Sequence, residues 1–454
     1  MQIIADLQLH SKYSRAVSQK MDLFEIGFWA SKKGIQLVAT GDWTHPLWFR
    51  HINDNLKETS PGIYALKKKP ENQKNDVHYF LSTEISSIYS QGGKVRRVHN
   101  LIFSPSIATC EKIIKKLQSE GANLMADGRP IVGISSKDLL EMVLEIDENV
   151  LFIPAHAWTP WFSLFGSKSG FDSIEECFGP ENAKHIYAIE TGLSSDPIMN
   201  WQIKELENRS IISFSDAHSG PKLGREATVF IPQGSNPQFS ISDLTYNDIA
   251  AAIRQDVGSK LKIGYTIEFF PEEGKYHWSG HRVCNIRYNA LEVKEKGETC
   301  PVCHKPLTIG VENRVLDLSY TLLKQDDLLF LKNKSDLTFV YDKEKKRKPF
   351  VSLIPLIEIL TELNNGSPVK GFRAYEDIVS TFGTEFDILM KKSYEEIETR
   401  SGDQLKKAIE IVRNRKVFVD PGYDGVFGVV KIFDGEKTHE ENSKATNETQ
   451  QSLF

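Results

Sequence analysis

The sequence predicts an α/β protein: a mostly parallel sheet or barrel, then a small metal-binding module, then a helix-rich C-terminal region. Three observations predict it. Seven short β-prone runs alternate with mostly helix-period stretches in the first half of the chain. A Cys-x-x-Cys pair follows a His-x-x-Cys pair near residue 300. From Leu353 onward, apolar residues recur at helical spacing.

The β-prone runs are residues 2–6, 36–40, 79–84, 98–103, 150–155, 185–190 and 210–215. Between them, Leu23, Ile26 and Ala30 mark one helix face, and Gly34 ends that helix. Ile113, Ile114 and Leu117 mark another. The 84–98 connection carries two glycines and no apolar period, which predicts a hairpin. Near residue 266 the pattern changes to a cysteine-bearing module, and residues 325–349 are polar and end in the basic run DKEKKRKPF. Leu353, Leu356, Ile357 and Leu360 share a helix face, and DPGYDGVFG is a Gly-rich loop. The expected divisions are 1–265, 266–318, 319–433 and a polar, disordered tail at 434–454.

Composition narrows the function. The chain has 454 residues, 40% hydrophobic and 26% charged, which suits a globular protein of about three domains. No apolar run reaches the roughly 20 residues that span a bilayer, and no membrane partner is expected. The opening MQIIADLQLH has no leader pattern, and five cysteines make no disulfide framework, so a cytoplasmic location is expected. The net charge of −5 gives no general push toward nucleic acid.

Acids and histidines gather at the strand ends. Asp6, Gln8 and His10 follow the first strand, Asp42 the second, and Glu84 closes the third. His99 opens the fourth strand, His156 follows the fifth, Glu190 closes the sixth, and Asp216 and His218 follow the seventh. In α/β barrels the C-terminal strand ends form one face that carries the site. Alternate residues of an extended segment point the same way, so Asp216 can share a site with His218, and His10 with Asp6 and Gln8. Mixed imidazole and carboxylate donors suit zinc, iron or manganese, and so many donors suit two or three ions. His45, His51, His78 and His185 lack this placement, with His45 a minor candidate beside Asp42.

DLQLHSKYSRA, TGDWTHP, RRVH, PAHAWTPW, IETGLSSDP and FSDAHSGPKLGRE resemble the polymerase-and-histidinol-phosphatase superfamily of metal-dependent phosphoesterases, and more narrowly endonuclease Q and its bacterial relatives. CPVCHKPLTIGV and DPGYDG extend the resemblance to about residue 433. The resemblance implies a distorted seven-stranded barrel that nicks DNA 5′ of deaminated bases (uracil, hypoxanthine, xanthine) or abasic sites. It implies metal ligands His10, Asp42, Glu84, His99, His156, Glu190, Asp216 and His218, with Asp6 and Gln8 weaker. The ions expected are two or three of zinc, manganese, magnesium or iron. The family's first motif reads Asp-x-His-x-His, and here its middle position is Gln8, a weak neutral ligand. The expected chemistry is in-line attack by metal-activated hydroxide, with Asp216 and His218 at the nucleophilic water and Arg225 on a phosphate oxygen. The rival readings are a small-metabolite phosphatase and a non-catalytic DNA-binding protein with a degenerate site.

Lys12, Arg15, Arg96, Arg97 and Lys168 are expected to meet DNA phosphates, and Trp158 and Trp161 to wall a flipped base. Phe162 and Phe165 are read as core. Gly422, Tyr423 and Gly425 offer a close backbone approach to the strand. Cys300 and Cys303 with Cys284 and His281 make a structural zinc set, with His277 and His304 as alternatives to His281. The family often uses four cysteines there. Cys110 and Cys177 are read as buried apolar residues. Gln450, Ser452, Leu453 and Phe454 resemble the peptide by which bacterial repair proteins dock on the replication sliding clamp.

Overall fold

The computed structural model describes residues 2–234 and 239–433; Gln450, Ser452, Leu453 and Phe454 lie outside them. The chain first lays down β1 (Ile3–Asp6), β2 (Leu37–Ala39), a hairpin of β3 (Leu56–Ser60) and β4 (Ile63–Leu66), and β5 (His78–Phe80). A long hairpin follows, β6 (Ser82–Gln91) and β7 (Lys94–Phe103), turning at Gly92 and Gly93, which both have positive φ. Then come β8 (Ile131–Val132), β9 (Leu151–Pro154), β10 (Ala188–Glu190), β11 (Ser210–Ile212), β12 (Ala227–Pro232) and β13 (Leu261–Glu268). β14 (Ser279–His281) and β15 (Ile286–Tyr288) form the ladder of the cysteine-bearing module. β16 (Leu328–Lys332), β17 (Thr338–Asp342) and β18 (Phe350–Ser352) precede the helices, and β19 (Phe418–Asp420) and β20 (Val429–Lys431) flank the Gly-rich loop.

All seven expected strands are present, the third split between β5 and β6. They do not close into one hydrogen-bonded barrel. Among the described residues the strands make a ten-stranded sheet, β16-β17-β18-β13-β12-β1-β2-β5-β4-β3, a four-stranded sheet, β8-β6-β7-β9, and three two-stranded ladders. The reason is local. β12 takes the place beside β1 and runs antiparallel to it, while β10 and β11 are only three residues long and pair with each other. A few bonds bridge the seams: the Ala157 amide donates to the Glu190 carbonyl at 3.0 Å, and Ser213 and Thr228 exchange two, the Ser213 amide donating to Thr228 Oγ1 at 3.0 Å and that hydroxyl to the Ser213 carbonyl at 3.1 Å. Alternate residues of these strands still share one apolar interior, including Ala5, Leu37, Phe80, Leu101, Ile153 and Ile212. Burial of these side chains, at about 25 cal/mol per Å² of apolar surface, holds the strands where ladders do not.

The ten-stranded sheet crosses the divisions expected at residues 265 and 318, because β18 pairs with β13 and carries β17 and β16 outward. Beyond it the chain is helical, as expected: Leu356–Leu363, Pro368–Phe382, Glu385–Met390, Tyr394–Ser401 and Asp403–Arg413. Two buried cations fasten these helices. Lys33, in the last turn of the Leu23–Lys33 helix, pairs with Glu385 at 2.8 Å. Arg413 donates to the carbonyls of Leu389 and Ile388, helix-end acceptors without an intrahelical partner, and to those of Lys392 and Ser335 in the neighbouring loops, at 2.7 to 2.9 Å.

Candidate metal centre

The expected ligands converge: Asp42, His156, Glu190, Asp216 and the His10 segment lie at or past the C-terminal ends of β2, β9, β10, β11 and β1, whereas Glu84 lies near the start of β6 and His99 lies within β7 rather than opening it. His10, Asp216 and His218 form one group whose ligand atoms lie within 4.8 Å of one another, and Glu84, His99 and His156 form a second. Glu84 joins them. Its Oε2 lies 3.1 Å from His10 Nε2, while Oε1 lies 2.5 Å from His99 Nδ1 and 3.5 Å from His156 Nε2. His10 Nε2 is also 3.2 Å from Asp216 Oδ1, and His10 Nδ1 is 2.9 Å from Asp42 Oδ1. Asp42 is oriented in turn by the Ser11 amide at 2.6 Å and the Ser14 hydroxyl at 2.9 Å.

Three of these residues are held in an uncommon backbone conformation. Asp42 has φ 47°, His156 φ 29° and Asp216 φ 46°, each directly after a strand region. Left-handed φ in a non-glycine residue costs on the order of 1 kcal/mol or more, and such residues cluster at functional sites. Here the turn swings each side chain inward across the strand ends. The neighbours make room: a Cβ on Gly128 would lie 2.4 Å from Asp42 Oδ2, and one on Gly192 would lie 2.4 Å from His156 Cβ.

The electrostatics pair opposite charges in a buried space. Burial opposes the charge of His10, but Asp42, Asp216 and Glu84 outweigh it and hold its pKa well above the usual value. Burial likewise opposes ionisation of Glu84, and Arg129, His99 and His10 overcome it, so Glu84 stays well below the usual carboxylate range. Asp216 is held low against its burial by His10 and His218. His99 is brought down to about 4, chiefly by burial. Glu190 is pushed well above the usual value by burial, aided by the charges of Asp216 and Glu84.

Glu190 takes the His156 amide on Oε2 at 2.7 Å and leaves Oε1 buried without a hydrogen-bond partner. Buried carboxylate oxygens do not stay unpaired cheaply. With the imidazoles around them, these donors fit divalent ions of the zinc, manganese or iron type. Gln8 Nε2 donates to Glu84 Oε2 at 2.8 Å, so the glutamine orients Glu84 in this arrangement, and its own Oε1 is unpartnered.

Asp6, a weaker ligand candidate, is not brought into either group. Its oxygens accept the Ser215 and Gly224 amides at 3.0 and 2.9 Å, and burial lifts its carboxyl to about 6. It is a strut that ties β1 to the Asp216 loop. His45 is buried against Tyr13, rings stacked at 4.4 Å. Sequence reasoning missed Arg129, whose Nη1 lies 3.3 Å from Glu84 Oε1. It sits in an irregular turn after Asp127-Gly128 and follows no periodic pattern.

The expected DNA contacts divide. Arg15 is exposed, with Asp127 at 3.3 Å, and Lys168 is exposed. Lys12 is half-buried, and Arg97 lies over the Phe162 ring at 5.7 Å. Arg96 is not available: it is buried, donates to the Gly170 carbonyl and Glu176, and stacks on Phe171 at 4.0 Å. Adjacent strand residues face opposite sides, so Arg96 and Arg97 could not both meet a strand of DNA. Trp158 is not a base wall either. It is 1% exposed, and its indole donates to Asn200 Oδ1 at 2.7 Å. Trp161 is half-exposed, with its ring 5.5 Å from Tyr276. Phe165 is core as expected, whereas Phe162 is half-exposed, its ring 4.8 Å from His99.

The Gly-rich loop also packs inward. A Cβ on Gly422 would lie 2.4 Å from the Gly274 carbonyl oxygen, and Tyr423 is buried, its hydroxyl donating to Asn285 at 2.7 Å. Gly425 supplies a turn with φ 87°. Beside this loop, Arg225 donates to the Ser215 carbonyl at 2.8 Å and lines a cavity of about 230 Å³ with Thr159, Ser194, Phe269, Tyr276 and Phe427.

In the module, His281, Cys284, Cys300 and Cys303 converge as expected, with ligand atoms within 4.8 Å of one another and Cys303 Sγ 3.3 Å from His281 Nδ1. Burial opposes ionisation of Cys300, but backbone donors at Cys303 and Val302, with His281, bring its thiol down to about 6. His277 is buried elsewhere and His304 is exposed, and neither joins the group. A four-donor Cys₃His set matches a structural zinc site.

No family model matches the chain. It is 27% identical over 345 residues to an uncharacterised protein of Methanocaldococcus jannaschii, covering 71% of this chain but only 40% of that one. It is 26% identical over 444 residues to the uncharacterised protein YqxK of Bacillus subtilis, covering 94% and 99%. In three dimensions it is similar to the lesion-specific endonuclease Q of Pyrococcus furiosus, with a TM-score of 0.76 and 28% identity over 98% of this chain and 99% of that one. It is also similar to an endonuclease Q bound to a 27-mer duplex with an abasic lesion at the active site, with a TM-score of 0.77 and 29% identity over 96% and 97%. The chain is a relative of endonuclease Q. Likeness along nearly the whole length places the strand assembly, the cysteine module and the helices in one shared architecture. Among the described residues no helix is long and apolar enough to cross a membrane.

Proposed function

We propose that this chain is a metal-dependent DNA endonuclease that cuts the phosphodiester bond 5′ of a deaminated base or an abasic site. The observation that carries the reading is the pair of histidine–carboxylate groups joined through Glu84 at the strand ends. Its kinship with endonuclease Q supports DNA as the substrate.

In this reading His10, Asp216 and His218 hold one divalent ion, and Glu84, His99 and His156 hold another, with Asp42 and Glu190 beside them. When bound, such ions neutralise phosphoryl charge and acidify a water molecule. Asp216, kept ionised by His10 and His218, accepts the proton of the attacking water. Arg129 and Arg225, at the edge of the centre, hold non-bridging phosphate oxygens. The cavity beside Arg225, walled by Phe269, Tyr276 and Phe427, takes the nucleotide turned out of the stack. Lys12, Arg15, Arg97 and Lys168 track the backbone. The Cys₃His group holds a structural zinc. Gln450, Ser452, Leu453 and Phe454 serve as a clamp-docking peptide, on the strength of their sequence.

The test is cleavage of end-labelled duplexes carrying one uracil, hypoxanthine or abasic site, with manganese, magnesium or zinc, beside Asp216→Ala. A nick 5′ of the lesion, lost in the variant, is expected. Failure with every ion, while a small phosphate ester is hydrolysed, overturns the reading in favour of a phosphatase.

A further inference from the structure

The basic run near residue 345 has no part in the reaction above, yet it is not a solvated linker. Lys346, Arg347 and Lys348 form one wall of a cavity of about 480 Å³ between β11 and β13. The cavity opens at the starts of these strands, at Ser210 and Leu261. The metal groups lie at the opposite ends, so the cavity is at the far end of the strand assembly from the reaction.

Its lining has two chemistries. Pro197, Leu206, Ile211, Ile263 and the buried Trp201 supply apolar surface. Arg209, Lys262, Lys346, Arg347 and Lys348 supply five cations against two carboxylates, Glu207 and Asp256. Most of the cations are engaged. Arg209 donates to the carbonyls of Ile186, Ala183 and Glu205, Arg347 lies 3.9 Å from Glu207, and Lys346 pairs with Glu344. Lys262 and Lys348 have no ion-pair partner among the described residues, and the nearby charge of Lys262 adds to partial burial in lowering the pKa of Lys348. Two ammonium groups without ion-pair partners, both lining the same cavity, are favoured by an anion between them. A volume of several hundred Å³ with an apolar wall and a few convergent polar groups fits a small organic ligand.

We propose that this cavity binds a nucleotide-sized organic phosphate, with Lys262 and Lys348 on the phosphate and the apolar wall against the nucleoside. Gln255 and Ser259, on the same rim, offer hydrogen bonds to its polar edges. The phosphate comes from a free mononucleotide or from the end of a DNA strand, and the probes separate the two.

The test is calorimetric titration of the metal-loaded full chain with deoxyadenosine 5′-monophosphate and, separately, with a short unmodified single strand carrying a 5′-phosphate. The expected result is saturable binding of at least one probe that Lys262→Ala/Lys348→Ala weakens roughly tenfold or more. These side chains are exposed and do not pack the core, so the variant keeps its thermal midpoint. Glu84→Ala, which disrupts the metal centre, leaves this binding unchanged. Absence of binding by both probes overturns the proposal. So does binding that survives loss of the two lysines and disappears in Glu84→Ala, which would assign the phosphate to the metal centre. Lesion cleavage is measured in parallel, and its outcome is independent of this one.

Discussion

The strand-end centre and the cysteine module both gather metal-ligand side chains, but by opposite means. At the strand ends the ligands are tied to one another and to the backbone by protein hydrogen bonds: His10 to Asp42, Asp42 to Ser11 and Ser14, His156 to Glu190. Two apolar clusters surround them. The module has a three-residue ladder, and Val283 and Val302 at its knuckles are 83% and 63% exposed. Its buried apolar side chains are few, among them Val293, Leu307 and Val311. The first site is shaped by the fold. The second is the kind of closed Cys/His set whose ion, where one is bound, organises the fold around it.

The largest effect that bears on this contrast is Asp216→Ala. Lesion cleavage should fall about 1000-fold or more, as when a group acting on the transition state is removed, while the thermal midpoint changes little. A collapse in stability would show that this site too depends on its ions for folding. Next is Cys300→Ser, which should lose one equivalent of zinc by mass spectrometry and expose the amides around residues 276–310 to hydrogen exchange, with β1 to β12 still protected. Retained protection of the module would break the contrast.

A third effect concerns the buried acids beneath the strand ends. Burial lifts Glu268 to about 8, above its ordinary 4.5. The folded chain therefore keeps a proton that the unfolded chain has lost between these values. Its stabilising contribution is complete below pH 4.5 and is lost as pH rises through about 8, at up to roughly 1.4 kcal/mol per pH unit. Glu268→Gln should flatten that decline in denaturant titrations between pH 5 and 8; an unchanged slope would assign it to other groups. The smallest is Gln8→His. It should tighten the more weakly held strand-end ion about tenfold in a chelator competition and leave the module's zinc unmoved. No change would mean that Gln8 acts only by orienting Glu84.

Much of this was legible because it is local. Gly34, at φ 88°, ends the Leu23–Lys33 helix where the apolar period stops, and Gly92-Gly93 turns the hairpin read from residues 84–98. Most of the candidate ligands were legible because they sit at or just past a strand end, where position in sequence fixes the face; His99, within β7, and Glu84, near the start of β6, are the exceptions. What escaped was non-local. Whether β11 pairs onward depends on β12, which claims the edge of β1, and no window of sequence contains that competition. Leu328–Lys332 lies in a stretch read as polar and basic, yet it pairs fully with β17. Arg96 and Trp158 were misassigned because residue type was weighed above side-chain alternation and the burial of a large ring.

The left-handed backbones of Asp42, His156 and Asp216 set stability and activity against each other. Glycine at any of the three would relax the turn, while removing a side chain to which the proposed reaction gives a role. A search for heat-resistant variants of this chain, scored by survival alone, would therefore be drawn to the very positions on which the proposed reaction depends, and any thermostabilised form has to be selected with turnover in the same assay.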